Sequence, residues 1–434
     1  MTPKEWAQVA LVALAIGLAV AATTLVPWRV PRPNRDARAA ALRDVPADVV
    51  TRGRALHAAL RPSAYGSRVV GLAAVLLLGL TPAGARIVAW VAQPFGGHWL
   101  AEAVLGGLVI LMLTWLASLP FAARRHTVLR DYGLSTQDWR GWTVDLLKSG
   151  ALGIVTGAVV LAGFYGLTRI APDWWWAFAA AAAAALVVLL SFVVPVLVEP
   201  VFNRFTPMSP GSLRDDLAAL AAKDGMPVRD VLVADASRRT TGLNAYVSGF
   251  GATRRIVVYD TLLQKAPAGE VRSVVAHELG HAKDRDPEIG TVLGAIGAAA
   301  AVVAIYVLGQ WDSLLDRAGV DSIASPRAIG LVLALGALAG LVTGPLQSLV
   351  SRRVEVRADQ HALRLTRDPA EFAAMQLRLA TVNIADVHPP RIEYLLFATH
   401  PDTVERLAAA KEAAGAHASG LLASDPGPLT SPDS

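Results

Sequence analysis

Residues 274–281 read Val274-Val275-Ala276-His277-Glu278-Leu279-Gly280-His281, and an apolar run from Ile289 to Trp311 follows almost at once. On a helix, positions four apart share a face, so His277 and His281 can reach the same metal ion. Two imidazoles at that spacing suit Zn²⁺, and the Glu between them can act as a general base. A helix of this kind running into a stretch long enough to cross a bilayer points away from a soluble enzyme and toward a membrane-embedded one.

The rest of the chain agrees. It has 434 residues, 54% of them hydrophobic, and no cysteine. That content exceeds what soluble cores use. Disulfides, thiolate metal ligands and a thiol nucleophile are all excluded. The net charge is +5 and comes mostly from Arg. Arg gathers in the cytoplasmic loops of membrane proteins, so no nucleic-acid partner is called for. The Ala, Gly and Arg bias points to a GC-rich bacterial genome.

Seven stretches are long enough for about 30 Å of hydrocarbon at about 1.5 Å per residue. They run from Trp6 to Trp28, Val69 to Val91, Leu100 to Phe121, Ala151 to Ile170, Trp174 to Val198, Ile289 to Trp311 and Ala328 to Val350. Trp28, Trp90, Trp99, Trp174 to Trp176 and Trp311 fall near their ends, where amphipathic rings settle. The first stretch reads as an uncleaved span, because its run is longer than a signal peptide's apolar region. The loops after the first, third and seventh stretches carry the Arg clusters. With seven alternating spans, this places the N-terminus outside and the segment bearing His277 in the cytoplasm.

Between the fifth and sixth stretches, Leu213 to Lys223 reads as a helix. Val228 to Asp235 and Arg254 to Tyr259 read as strands, with Asn244 to Gly249 as an edge strand. The chain therefore divides into 1–198 (five spans), 199–288 (a catalytic segment), 289–350 (two spans), 351–415 (a second catalytic segment) and 416–434 (a disordered tail). The fold class is mainly α: a polytopic membrane protein of about seven transmembrane helices, with a cytoplasmic zinc-metalloprotease domain of gluzincin-like type and a small β-sheet.

A zinc peptidase needs a third protein ligand and an open position for water. Glu355, just past the seventh stretch, can ligate, and Asp359, one turn on, can accept a proton from a ligand imidazole. Thr399-His400-Pro401 and Arg406 supply donors downstream. His400 can stabilise an oxyanion, and Arg406 can hold a substrate carbonyl or carboxylate. His57, His98, His126 and His417 earn no role. His361 can at most support a ligand from outside, and His388 reads as structural.

Several further motifs stand in order along the chain. They are Pro120-Phe121, Asp131-Tyr132-Gly133-Leu134-Ser135, Glu199-Pro200-Val201-Phe202-Asn203, Asn244-Ala245-Tyr246 and Tyr259-Asp260-Thr261-Leu262. His277 to His281, Glu355 to Asp359 and Asn383…Thr399-His400-Pro401…Glu405-Arg406-Leu407 follow. In this set the chain resembles the integral-membrane zinc metalloproteases of the CAAX prenyl protease type, from about Leu100 to Leu407.

That resemblance implies a water-filled chamber and one Zn²⁺ per chain on His277, His281 and Glu355. It also implies Glu278 as the residue that activates water, Asp359 orienting a ligand His, and His400 stabilising the tetrahedral intermediate. Asn244 would pair with the substrate backbone, and Arg406 would lie near the substrate. Partners would be peptide or protein substrates, membrane-associated or lipidated ones included, and the lipids of a bacterial plasma membrane. After His281 the chain has Ala282-Lys283-Asp284, where eukaryotic members carry an aromatic residue, a departure that bears on substrate preference. The competing readings are a membrane-protein quality-control metalloprotease of the heat-shock type, a protease-derived scaffold without activity, and a multi-span transporter or receptor. Glu102 and Pro195 are the mid-membrane candidates for the last.

Overall fold

A long apolar run in a bilayer has only its own backbone to satisfy its N–H and C=O groups, and it therefore folds as a helix. The structure, a computed structural model, describes residues 1–249 and 251–418. Seven of its helices are long and apolar enough to cross a membrane. Spans 1 to 7 are Pro3–Leu25, Ala47–Gly79, Trp99–Asp131, Trp139–Ile170, Trp175–Phe202, Asp286–Leu308 and Pro326–Thr366.

The stretch expected as span 2, Val69 to Val91, is split. Its helix starts earlier, at Ala47, and ends at Gly79, and a separate helix runs Ala83–Ala92. Pro82 lies at the break, where it has no N–H to continue the ladder. Spans 2 and 7 touch backbone to backbone. A Cβ on Gly79 would lie 2.3 Å from the Gly330 carbonyl oxygen, so only small residues permit the crossing.

Glu102 and Pro195, the two mid-membrane candidates, each sit in a short π-helical turn. Glu102 is buried and ion-paired with Arg327 at 2.7 Å, which fits a structural tie between spans 3 and 7.

The water-facing part holds helices α1 (Arg35–Asp44), α2 (Ser212–Lys223), α3 (Ala268–Lys283), α4 (Pro369–Val382), α5 (Arg391–Phe397) and α6 (Thr403–Ala418). Its strands are β1 (Phe205–Pro207), β2 (Asp230–Ala234), β3 (Ala245–Ser248) and β4 (Arg255–Tyr259). The sheet order is β1-β2-β4-β3, with β2 parallel to β4 and the outer pairs antiparallel. The edge strand expected at Asn244 to Gly249 is β3, and β1 was not anticipated. The tail expected to be disordered lies, from residue 419 on, outside the described residues.

The main core packs this sheet on α2, α3 and α4. Leu279, Val275 and Phe372 in it are fully buried. Leu279 falls on the opposite face of α3 from the two His, so the same helix is anchored and functional. Truncating such a side chain to Ala costs about 2–5 kcal/mol.

Candidate active site

Helix α3 ends at Lys283, and span 6 begins at Asp286. The turn between them puts Arg285 in the left-handed region, at φ 57°. This sharp turn brings Asp286 back beside the helix it has just left. Span 7 continues unbroken past the seventh apolar stretch to Thr366 and lies against α3. Gly280 is what lets them approach, since a Cβ there would meet the His361 Cβ at 3.0 Å.

The two ring Nε2 atoms of His277 and His281 are 3.1 Å apart. Glu355, from span 7, closes the group, each of its carboxylate oxygens 3.4 Å from one ring Nε2. One donor atom from each of the three lies within 4.8 Å of the others. The donor set, two imidazoles and one carboxylate in a largely buried position, fits a zinc-type cation with an open coordination position. The opposite ring nitrogens are held as such a site requires. His277 Nδ1 is 2.9 Å from Asp359 Oδ1, close though not linear, and His281 Nδ1 is 2.9 Å from Asp286 Oδ2.

Without a cation the neighbouring carboxylates favour protonation of both rings, and a cation binding at Nε2 displaces those protons. Burial opposes protonation of His277, but contacts with Asp359 and Glu355 outweigh it and raise its pKa to about 9. Burial likewise opposes charge on His281, and Asp286 and Glu355 raise it to about 10. Glu278 lines the same cleft as His281 and Val247. Burial pushes its pKa above the ordinary glutamate value, partly offset by the two His.

His400 Nε2 stands 3.4 Å from Glu355 Oε1, and its Nδ1 meets the Thr399 hydroxyl at 2.8 Å. Its side chain is 61% exposed, facing an open cleft walled by protein. That surrounding protein lowers its pKa, so the ring is neutral at pH 7. Asn244 is exposed immediately before β3, and its side-chain oxygen accepts from the Ala245 N–H at 3.0 Å.

Arg406, expected to hold substrate, turns inward. It donates to Glu355 Oε2 at 2.7 Å and lies 3.2 Å from Asp359 Oδ2. His361 faces Asp224 at 3.0 Å, and His388 faces Asp402 at 3.2 Å, both away from the metal donors.

Two residues were missed from the sequence. Asp286 is one, with Arg357 clamping both it and Asp284, the latter at 2.9 Å. An acid five residues beyond the second His was the available signal. Arg352 is the other, 2% exposed, donating to the carbonyls of Tyr394 at 2.9 Å and of Ala398. It thereby closes the end of α5 and sets the loop that carries His400.

The remaining motifs mostly hold β3. Tyr246 donates to Glu199 at 3.0 Å, tying the strand to span 5. The Asn383 side chain pairs with both backbone groups of Leu243. Leu134 accepts from the Thr241 N–H at 3.0 Å. The edge of β3 opposite β4 is left unpaired within the sheet and borders the metal cleft.

Against this geometry, a family model described as peptidase family M48 matches residues 207–414, and one described as CAAX prenyl protease N-terminal, five membrane helices, matches residues 63–204. The chain belongs to this family of membrane metalloproteases. Similar proteins include CAAX prenyl protease 1 of Saccharomyces cerevisiae, 28% identical over 68% of this chain and 69% of that protein. The uncharacterized metalloprotease YhfN of Bacillus subtilis is 28% identical over 69% of this chain and 71% of its own. The crystal structure of S. mikatae Ste24p aligns with a TM-score of 0.77 at 20% identity, covering 94% of this chain and 99% of that one. The fold is thus shared over nearly the full length, and the protein is a multi-pass membrane metalloprotease acting on peptide or protein substrates.

Proposed function

We propose that the protein is a zinc-dependent endopeptidase that cleaves peptides laid along the edge of β3, membrane-associated or lipidated substrates among them. The convergence of His277, His281 and Glu355 on one point, bordered by the free edge of β3, carries this reading. A Zn²⁺ held by these three residues supplies a water of lowered pKa and a polarised carbonyl.

Glu278 accepts the proton of the attacking water and delivers it to the leaving amine. The neutral His400 ring donates to the oxyanion from the open side of the cleft. Asp359 and Asp286 keep the Nε2 lone pairs of the two His aimed at the metal. Arg406 balances the negative charge of Glu355 and Asp359. Asn244 offers its amide at the start of the strand to which the substrate backbone adds.

The Arg-rich loops support an N-terminus outside and a cytoplasmic active site, in a bacterial plasma membrane. The five-part division, with catalytic segments at 199–288 and 351–415 between span groups 1–198 and 289–350, follows the same reading.

Glu278→Gln tests it. The variant is expected to keep its metal, read by atomic emission on purified protein, and to lose peptide cleavage by at least about a thousandfold. N-terminal proteomics of cells carrying wild type or the variant then identifies the substrates. Cleavage at the wild-type rate overturns the assignment of the base.

A further inference from the structure

A separate cavity, of about 610 Å³, opens beside the first turns of span 4. Span 4 starts at Trp139, but the apolar stretch within it begins only at Ala151. Its first three turns therefore stand between hydrocarbon and water. Trp139 and Trp142 pack on one another there, ring centroids 5.4 Å apart, as amphipathic rings do at a bilayer boundary. Arg140, Val144 and Lys148 share one helical face and form a wall of the cavity. Beside them Leu147 is 65% exposed, so the basic wall runs into open apolar surface at the edge of the hydrocarbon.

The cations of this cavity outnumber its anions, and the anions are already engaged. Asp138 accepts the Gly141 N–H at 2.7 Å, which caps span 4. Asp145 is held by the Arg239 guanidinium and the Gln137 amide, each at 2.7 Å. Arg238 turns to Asp235. Arg140 has no ion-pair partner among the described residues. The Lys148 ammonium, 42% exposed, donates to the Val201 carbonyl at 3.2 Å and lies 3.8 Å from Asp145, so it keeps free donors. Two such cations in a concave site at the membrane boundary suit a phosphate, and the adjoining apolar surface suits the chains of a lipid rather than a soluble anion. In the proposed orientation the cavity meets the cytoplasmic leaflet, the side on which anionic lipids set the surface potential.

The opposite wall belongs to the segment that leads into β3. Arg239 donates to Asn203 as well as to Asp145, and so ties spans 4 and 5 together. Thr240 bridges to Ser135, and the Thr241 N–H donates to the Leu134 carbonyl at 3.0 Å. Three residues later the chain is at Asn244, where β3 begins. Anything that fixes the cavity walls also fixes the approach to the strand proposed to receive substrate.

We propose that this cavity binds the phosphate of an anionic phospholipid on Arg140 and Lys148, its chains passing the exposed Leu147 into the bilayer, and that the bound lipid steadies the loop that feeds β3. The effect on cleavage rests on the endopeptidase reading above, whereas the binding does not.

The test uses the full-length protein and the double variant Arg140→Gln/Lys148→Gln. Lipid retention is read by native mass spectrometry after exposure to phosphatidylglycerol, phosphatidylcholine or inorganic phosphate. Wild type is expected to retain phosphatidylglycerol over phosphatidylcholine by roughly ten- to thirtyfold, and the variant by about one. In nanodiscs, mixing phosphatidylglycerol into phosphatidylcholine should slow hydrogen exchange at residues 240–243 of wild type. It should also lower KM for a peptide of zero net charge by about three- to tenfold, with metal content unchanged. The variant should show neither response.

Equal retention of the two lipids by wild type, or a preference that survives in the variant, overturns the site. Inorganic phosphate that binds and slows exchange as well as phosphatidylglycerol does overturns the assignment to a lipid. Retention of the lipid with no change in exchange or KM overturns the coupling to β3. Failure of metal-loaded wild type to cleave peptide in either nanodisc sinks the endopeptidase reading, and lipid retention and hydrogen exchange then still decide the site.

Discussion

Glu278 carries the sharpest pH consequence at the level of single residues. As the proposed base, its carboxyl has to be ionised to take a proton, and burial raises its pKa above the ordinary value. Activity is therefore lost as pH falls through that raised value. The acid limb of kcat/KM should lie above the usual glutamate range, and it should vanish with the residual activity of Glu278→Gln. A limb at the unperturbed value would show that another group is titrating. Asp286 yields a second expectation. Asp286→Asn leaves His281 Nδ1 facing a neutral partner, which should weaken metal binding by about ten- to a hundredfold, measured by chelator competition. The donor triad was legible because helical spacing alone puts His277 beside His281, and a zinc site calls for a third ligand. Asp286 was not, because its approach depends on the left-handed turn at Arg285, and nothing in an Arg side chain announces a positive φ.

Elements explain why the site stays assembled. Span 7 delivers Glu355, and one turn earlier it delivers Arg352, whose buried guanidinium caps α5 through the Tyr394, Leu395 and Ala398 carbonyls. One helix thus sets both a metal donor and the loop bearing His400. Arg352→Met keeps the length and apolar stem but removes the donors. It should lower kcat roughly ten- to a hundredfold with metal retained and KM little changed, and Arg352→Lys should rescue only part of it. Loss of metal instead would mean that Arg352 mainly holds span 7 in place. In sequence, Arg352 is one of the Arg cluster after the seventh stretch that sets orientation, because an Arg at the end of an apolar run has that ordinary meaning. The split after Gly79 escaped for a related reason. Hydropathy continues across Thr81-Pro82 while the hydrogen-bond ladder does not. The three residues of β1, one of them Pro207, are too short to carry an alternating pattern, and pairing with β2 is what makes them a strand.

At the scale of the whole molecule, the open question is which side of the membrane the site faces. The proposed orientation depends on Arg in three loops, and several of these Arg also have local partners. Arg32, Arg38 and Arg61 reach Glu405, Asp402 and Glu393. Their positions are thus explained twice, by topology and by folding, and composition alone does not separate the two. The absence of cysteine makes a direct measurement simple. Asp321, exposed between spans 6 and 7, and Asp215, exposed on α2, lie on opposite sides in the proposed arrangement. Single variants Asp321→Cys and Asp215→Cys, expressed in intact cells, are treated with a membrane-impermeant maleimide before and after permeabilisation. Asp321→Cys should label in intact cells and Asp215→Cys only after permeabilisation. The reverse pattern would move the metal site to the outer face and leave the Arg in these loops with a folding role alone. Matching labels at both positions would mean that span 6 does not cross, which would remove the rigid support on which the turn at Asp286 depends.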